Sequence, residues 1–196
     1  MFNDLSNPLD YLRSRRSCRP RDMIAPGPSD TQLDEILSLA MRTPDHGKLA
    51  PWRFIRVSDE QRGEFAALLE RSFSSQNPDA RSVQIEAAAA MAQMAPTLII
   101  LIHSPQESAK IPEWEQVMSK GAVGMNMLHA GHAMGFVGGW ITGWPTYDEN
   151  IKKHLCDERE SIAGFFYFGS SKEELAERPR PVMADKISEF PKLSDI

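Results

Sequence analysis

The chain has little cysteine: Cys18 and Cys156 are the only two among its 196 residues. They lie far apart, no CxxC pair occurs and no His/Cys cluster has zinc-like spacing, so no metal site is expected and reduced thiols are the default. No apolar run approaches the roughly 20 residues needed to cross a bilayer. The N-terminus also lacks the basic, apolar and small-residue order of a secretory signal. These absences predict a soluble cytoplasmic protein without a membrane partner. Repeats and low-complexity segments are missing too. The cluster Gly135 to Gly139 lacks the strand-turn-helix context and G-x-G-x-x-G order of a dinucleotide fingerprint. Net charge is −5 with no broad basic stripe, which argues against a nucleic-acid surface.

What is present fits one domain over residues 1–196: 41% of the residues are hydrophobic, enough for a sizeable core. Leu5, Leu9 and Leu12 recur at helical spacing and predict a short helix over 8–14. Ser29 and Gln32 form a capping-box pattern before Leu33, Ile36, Leu37 and Ala40, and Thr43-Pro44 stops that helix. Trp52 to Val57 reads as a strand, and Ser58 with Gln61 caps a third helix bearing Phe65, Leu68, Leu69 and Phe73. An Ala-rich helix over 80–94, a buried strand Thr97 to His103, a long helix over 112–134, a Gly-rich turn, a short helix over 148–155 and a strand Ile162 to Phe168 follow. Gly121, Gly124 and Gly131 lie on one face of the long helix, and their cost of roughly 1 kcal/mol each predicts that another helix, of this or a second subunit, approaches closely. The tail 173–196 is too polar for a core of its own, yet Val182, Ile187, Phe190 and Leu193 could dock on a neighbouring surface.

Two segments carry chemistry. Arg13, Arg15, Arg16, Arg19 and Arg21 place five guanidinium groups within nine residues of a mildly acidic protein, which marks a local anion site. Arg offers a planar fork of donors to phosphate oxygens, and Ser17 adds a hydroxyl. The second segment, Arg42-Thr43-Pro44-Asp45-His46 followed by Pro51-Trp52, supplies groups suited to ribityl hydroxyls and the carbonyl edge of a flavin ring, or alternatively a cap on the end of its helix.

In order, the segments Tyr11 to Ser17, Met41 to His46, Pro51 to Phe54, Pro112 to Gln116, Gly135 to Trp140 and Gly164 to Gly169 resemble the nitroreductase family of flavin enzymes, in particular its YdjA-like branch of NAD(P)H nitroreductases. The resemblance implies an α+β fold, a central mostly antiparallel sheet wrapped by helices, in an intertwined homodimer whose C-terminal segment embraces the partner. It implies an FMN-dependent oxidoreductase, driven by NADH or NADPH, that reduces a small-molecule electron acceptor in a two-step exchange. The implied cofactor ligands are Arg15, Arg16 and Ser17 from one subunit, Arg42 and His46 from the other, and Trp140, Ile141 and Thr142 along the ring, with no obligatory acid–base side chain. Arg178 and Arg180 resemble basic residues that meet the phosphate in some members.

The chain departs from the family pattern at Lys48 and Ala50, where relatives often carry Asn and Gln, and at Ile141, where some carry Arg. The motifs bind flavin and do not name the acceptor. Enone reduction, reductive dehalogenation, oxidative dehydrogenation and non-enzymatic flavin binding therefore stay open. His129 and His132 have a spacing that can hold a metal, but nothing completes a site, so packing or partner contact is expected there.

Overall fold

The computed structural model describes residues 2–190. A four-stranded antiparallel sheet forms the centre: β1 (Trp52–Val57), β2 (Thr97–His103), β3 (Val137–Ile141) and β4 (Ser161–Gly169), in the order β1-β2-β4-β3. Its helices are α1 (Pro8–Ser14), α2 (Asp30–Ala40), α3 (Arg62–Gln76), α4 (Ser82–Ala89), α5 (Glu113–Ala133), α6 (Trp144–Tyr147) and α7 (Glu149–Leu155).

The central strands β2 and β4 are apolar at almost every position because both faces of the sheet are covered. Leu98, Ile100, Ile102, Phe165 and Tyr167 point to one side, against Phe65, Leu68 and Leu69 of α3 and Ile151 of α7. Ile99, Leu101, Phe166 and Phe168 point to the other, against Leu33 and Ile36 of α2 and Val123 and Met127 of α5. Each such side chain contributes about 1.5–3 kcal/mol on burial. No helix among the described residues is long and apolar enough to cross a membrane.

Local rules place most elements. Ser29 and Gln32 make the reciprocal capping box of α2, and Ser58 and Gln61 make another at the turn leading into α3. The Ala-rich helix is shorter than its composition predicts: α4 ends at Ala89 and tightens into a 3₁₀ turn, Ala90–Gln93, before Pro96. Leu5, Leu9 and Leu12 are all exposed, so α1 follows its predicted bounds without burying that stripe.

Two expectations are corrected. The segment expected as a Gly-rich turn contains β3, paired with β4 from Val137↔Gly169 to Ile141↔Phe165. A Cβ on Gly138 would lie 2.9 Å from the Phe168 ring and one on Gly139 would lie 2.5 Å from the Cys18 carbonyl, so the glycines serve close packing of a strand. Gly124 and Gly131 of α5 likewise face the sheet and not a helix. A Cβ on Gly124 would approach Phe166 to 2.8 Å and one on Gly131 would approach Phe168 to 2.4 Å, while Gly121 meets nothing within 4 Å.

Candidate flavin site

The Arg-rich segment runs along the outer edge of β3. Asn7 caps α1, accepting from the backbone of Leu9 and Asp10, and the helix ends where Arg15 N–H donates to the Tyr11 carbonyl at 2.8 Å. Three residues later Cys18 N–H donates to the Gly138 carbonyl at 3.0 Å. Arg15 and Ser17 thus lie on a short bridge between α1 and the sheet, with Arg15 Nη1 3.3 Å from Ser17 Oγ.

Arg16 turns inward. Its guanidinium lies over the Phe2 ring at 4.7 Å, donates to the Arg15 carbonyl at 2.7 Å and pairs with Glu177 of the tail. Arg180 stands 3.8 Å from the same Glu177 carboxylate. Burial first, then the like charges of Arg180 and Arg15, hold the Arg16 pKa below its ordinary value, and its Nε is buried without a partner. Two cations, Arg16 and Arg180, therefore share one carboxylate, with the like charge of Arg15 close by. Beside them a cavity of about 380 Å³ is lined by Ser17, Cys18, Arg19 and Asp22 with Ser171 and the tail residues from Glu173 to Arg178.

Trp140 and Ile141 close β3, and Thr142 follows at the surface. The Trp140 ring stacks on Phe166 with centroids 4.9 Å apart, and its Nε1 donates to the Ala163 carbonyl at 3.2 Å. Its side chain is committed to the sheet, and the half-buried Ile141 side chain packs against the α3-side core. Backbone groups repeat direction every second residue of a strand. Gly138 directs both its N–H and C=O to the outer edge, so Trp140 aims its own at that edge, beside the Arg15–Cys18 bridge.

Arg42 and His46 lie elsewhere in the chain. Both are exposed in the loop after α2, which is stitched to α5: Ser119 Oγ donates to the Pro44 carbonyl at 3.0 Å, Asn126 Nδ2 to Thr43 Oγ1 at 2.8 Å, and His46 Nδ1 lies 2.6 Å from Glu115 Oε2. Lys48 and Ala50 sit in the same loop in the left-handed region, at φ 58° and 48°, with Ala50 N–H donating to Asp45 Oδ2 at 2.7 Å. Within one chain His46 is not brought to the Arg15 bridge, whereas Arg42 adjoins Thr43, which is bonded to Asn126 three residues from His129. Glu115 and His129 mark the two ends, and 14 residues of helix at about 1.5 Å each separate them by about 20 Å.

The family model of the nitroreductase family matches residues 12–170, from the Arg-rich bridge to the end of β4. The chain belongs to the nitroreductase family. The Escherichia coli (strain K12) protein named "Putative NAD(P)H nitroreductase YdjA" is 35% identical over 163 residues, 83% of this chain and 87% of that protein. A Haemophilus influenzae protein named "Putative NAD(P)H nitroreductase" is 31% identical over 180 residues, 91% and 95% of the two chains. Among solved structures, a nitroreductase-like family protein from Bacillus cereus superposes with a TM-score of 0.82 at 16% identity, over 98% of each chain. A Desulfovibrio desulfuricans structure described as a nitroreductase in complex with FMN gives 0.70 at 22% identity, over 95% of this chain and 99% of that one.

This nitroreductase-family chain has one polar network that sequence reading missed. Tyr11 Oη lies 2.8 Å from His129 Nδ1 and 3.4 Å from His132 Nδ1, and His132 Nε2 accepts from Gly138 N–H at 3.0 Å. Burial, reinforced by Arg15, lowers the pKa of His132 to about 4, and burial and Arg15 lower that of His129. Burial raises Tyr11 to about 12. The three residues are 118 and 121 positions apart in sequence, so no local pattern could have announced them. Among the described residues no group of His, Cys, Asp and Glu could hold a metal ion.

Proposed function

We propose that the chain is an FMN-dependent NAD(P)H oxidoreductase that acts as a homodimer with two sites, each shared between subunits. The observation that carries this reading is the gathering of Arg15, Arg16 and Arg180 at the outer edge of β3 beside a cavity, where only Arg16 and Arg180 meet a carboxylate, that of Glu177. Like charges gathered at that density are matched by a dianionic phosphate monoester, and the buried, unpartnered Nε of Arg16 adds a donor in need of an acceptor. The names of the relatives and the FMN of the Desulfovibrio structure agree in chemistry.

In this reading Arg15 and Ser17 hold the phosphate, with Arg16 closing the bridge from behind. The outward backbone groups of Trp140 and Thr142 meet the polar edge of the ring, and Ile141, whose own backbone groups face β4, links them. Arg42 and His46 reach the flavin from the partner, a geometry favoured for His46 by its separation from Arg15 within one chain. FMN, when bound, supplies the redox chemistry between NAD(P)H and a small organic acceptor. The chain binds, orients the ring and holds donor and acceptor at roughly 3–3.5 Å from it, so no acid–base side chain is assigned.

The surface supports the dimer. Trp114, Val117 and Met118 are exposed along α5 beside the open Gly121, and Leu9 and Leu12 are exposed on α1. Val182, Met183, Ile187 and Phe190 of the tail are exposed as well, whereas Leu193 lies outside the described residues. Docking of the tail 173–196 on the partner is part of the proposal.

The test is subunit complementation. Arg15→Ala and Arg42→Ala homodimers are each impaired at both sites. In a mixed dimer one site collects both defects and its twin is intact. Random reassembly makes about half the dimers mixed, so NAD(P)H oxidation returns to about a quarter of the wild-type rate. No gain over the average of the parents refutes the shared site. Failure of NAD(P)H to bleach bound flavin in wild-type protein refutes the enzymatic reading.

A further inference from the structure

The bridge that carries Arg15 and Ser17 is anchored at both of its ends, and both anchors meet at one side chain. At the first end, Arg15 N–H is bonded to the Tyr11 carbonyl, and Tyr11 reaches His129 and His132 through its hydroxyl. At the second end, Cys18 N–H is bonded to the Gly138 carbonyl, and the N–H of that same Gly138 is bonded to His132 Nε2. The bonds close a circuit: Tyr11, the bridge, Gly138, His132 and back to Tyr11.

The circuit has a fixed proton arrangement. A backbone N–H can only donate, so His132 Nε2 is unprotonated and its Nδ1 carries the proton. Nδ1–H points to Tyr11 Oη, and the same hydroxyl is hydrogen-bonded to His129 Nδ1. Every member has one consistent role, at the end of α5, the end of α1 and the start of β3 together. His132 is 1% exposed, so water does not substitute for these partners.

None of these three side chains is among those assigned to the flavin. We propose that Tyr11, His129 and His132 are positioning residues that hold Arg15 and Ser17 in register for a phosphate monoester and thereby set the preference of the site for phosphorylated over unphosphorylated flavin. The inference rests on the reading above that flavin binds against this bridge. The energetic logic is preorganisation: a clamp already held in its bound geometry loses less conformational freedom when the phosphate arrives. Because the circuit meets β3 only at Gly138, whose strand is also held by its pairing with β4 through Ile141, loosening it acts chiefly on the phosphate end.

The experiment measures the affinities of FMN and riboflavin by fluorescence titration for wild type, Tyr11→Phe, His129→Leu, His132→Phe and His132→Gln, with circular dichroism as the check of folding. Tyr11→Phe keeps the ring and removes only the hydroxyl. Loss of a hydrogen bond of this type corresponds to about three- to tenfold in FMN affinity, with riboflavin changed by less than twofold. His132→Phe reduces the FMN-to-riboflavin ratio further, and His132→Gln, whose amide oxygen can still accept from Gly138 N–H, restores part of it. Should the His132 variants fail to fold, Tyr11→Phe and the half-exposed His129→Leu decide. A parallel fall in both affinities, or an unchanged ratio in a folded Tyr11→Phe, overturns the inference while the flavin reading stands. Wild-type protein that binds neither flavin overturns the flavin reading itself.

Discussion

Acid should unfold this protein through His132, and the size of the effect follows from its surroundings. The imidazole is buried and lies near Arg15, and burial first, then that positive charge, lower its pKa to about 4. In the unfolded chain a histidine titrates near 6.5. Above that pH both states are neutral at this position, and it adds no pH dependence. As pH falls from 6.5 to about 4, the unfolded chain takes up a proton that the folded chain refuses, so stability falls. At about 1.4 kcal/mol per pH unit, the loss between pH 7 and pH 4.5 is about 2–3 kcal/mol, a large part of the 5–15 kcal/mol of a typical domain. Below about 4 the slope from this group vanishes. His129 and His103, whose pKa values burial also lowers, act in the same direction, so the contribution of His132 is read as a difference. Urea unfolding of flavin-free wild type and His132→Gln at both pH values supplies that difference. The variant should lose about 2–3 kcal/mol less than wild type on acidification, and equal losses would refute the buried, neutral assignment.

Two further tests bear on the scaffold. Gly131→Ala should cost about 1–3 kcal/mol in thermal or denaturant unfolding, because its Cβ would sit 2.4 Å from the Phe168 ring, whereas Gly63→Ala on the open face of α3 should be neutral or stabilising by up to about 1 kcal/mol. Equal effects at the two sites would contradict the sheet-facing role of the α5 glycines. Arg53→Ala should destabilise by about 1–3 kcal/mol, a range that allows for screening of an Arg53 side chain 40% exposed, because it strands the buried Glu160 carboxylate. Hydrogen bonding from Arg53 lowers the pKa of Glu160 to about 2, so the pair's contribution is complete above the ordinary carboxylate pKa of 4.5 and is lost as pH falls toward 2. Acid titration of unfolding in the variant should lack that component.

Much of the architecture is written in local signals. The continuous run Thr97 to His103 identifies the central strand because both faces of that strand are covered, and Ser29 with Gln32 and Ser58 with Gln61 mark helix starts through bonds made within one turn. Strand β3 is hidden because its glycines answer to Phe168 and Cys18, distant in sequence, and carry no strand preference of their own. The stripe on α5 was legible as close approach, but the approaching partner is an aromatic face of the sheet. At the site, the Arg-rich bridge could be read from residue type. Its anchoring to His132 could not, since a pairing across more than a hundred residues exists only after the chain has folded.

The bridge also has a protective consequence. β3 is the last strand of the sheet, and an uncovered strand edge invites pairing with another chain. Cys18 occupies the Gly138 carbonyl, and Ile24 forms a two-bond bridge with Ser170 just past the end of β4, so the segment that carries Arg15 and Ser17 also shields this border. A chain lacking its first twenty-five residues would lose the proposed phosphate ligands Arg15 and Ser17 and present an open sheet margin together. Its fate would be aggregation before any deficit in cofactor could be measured, which ties the solubility of the protein to the same residues as its chemistry.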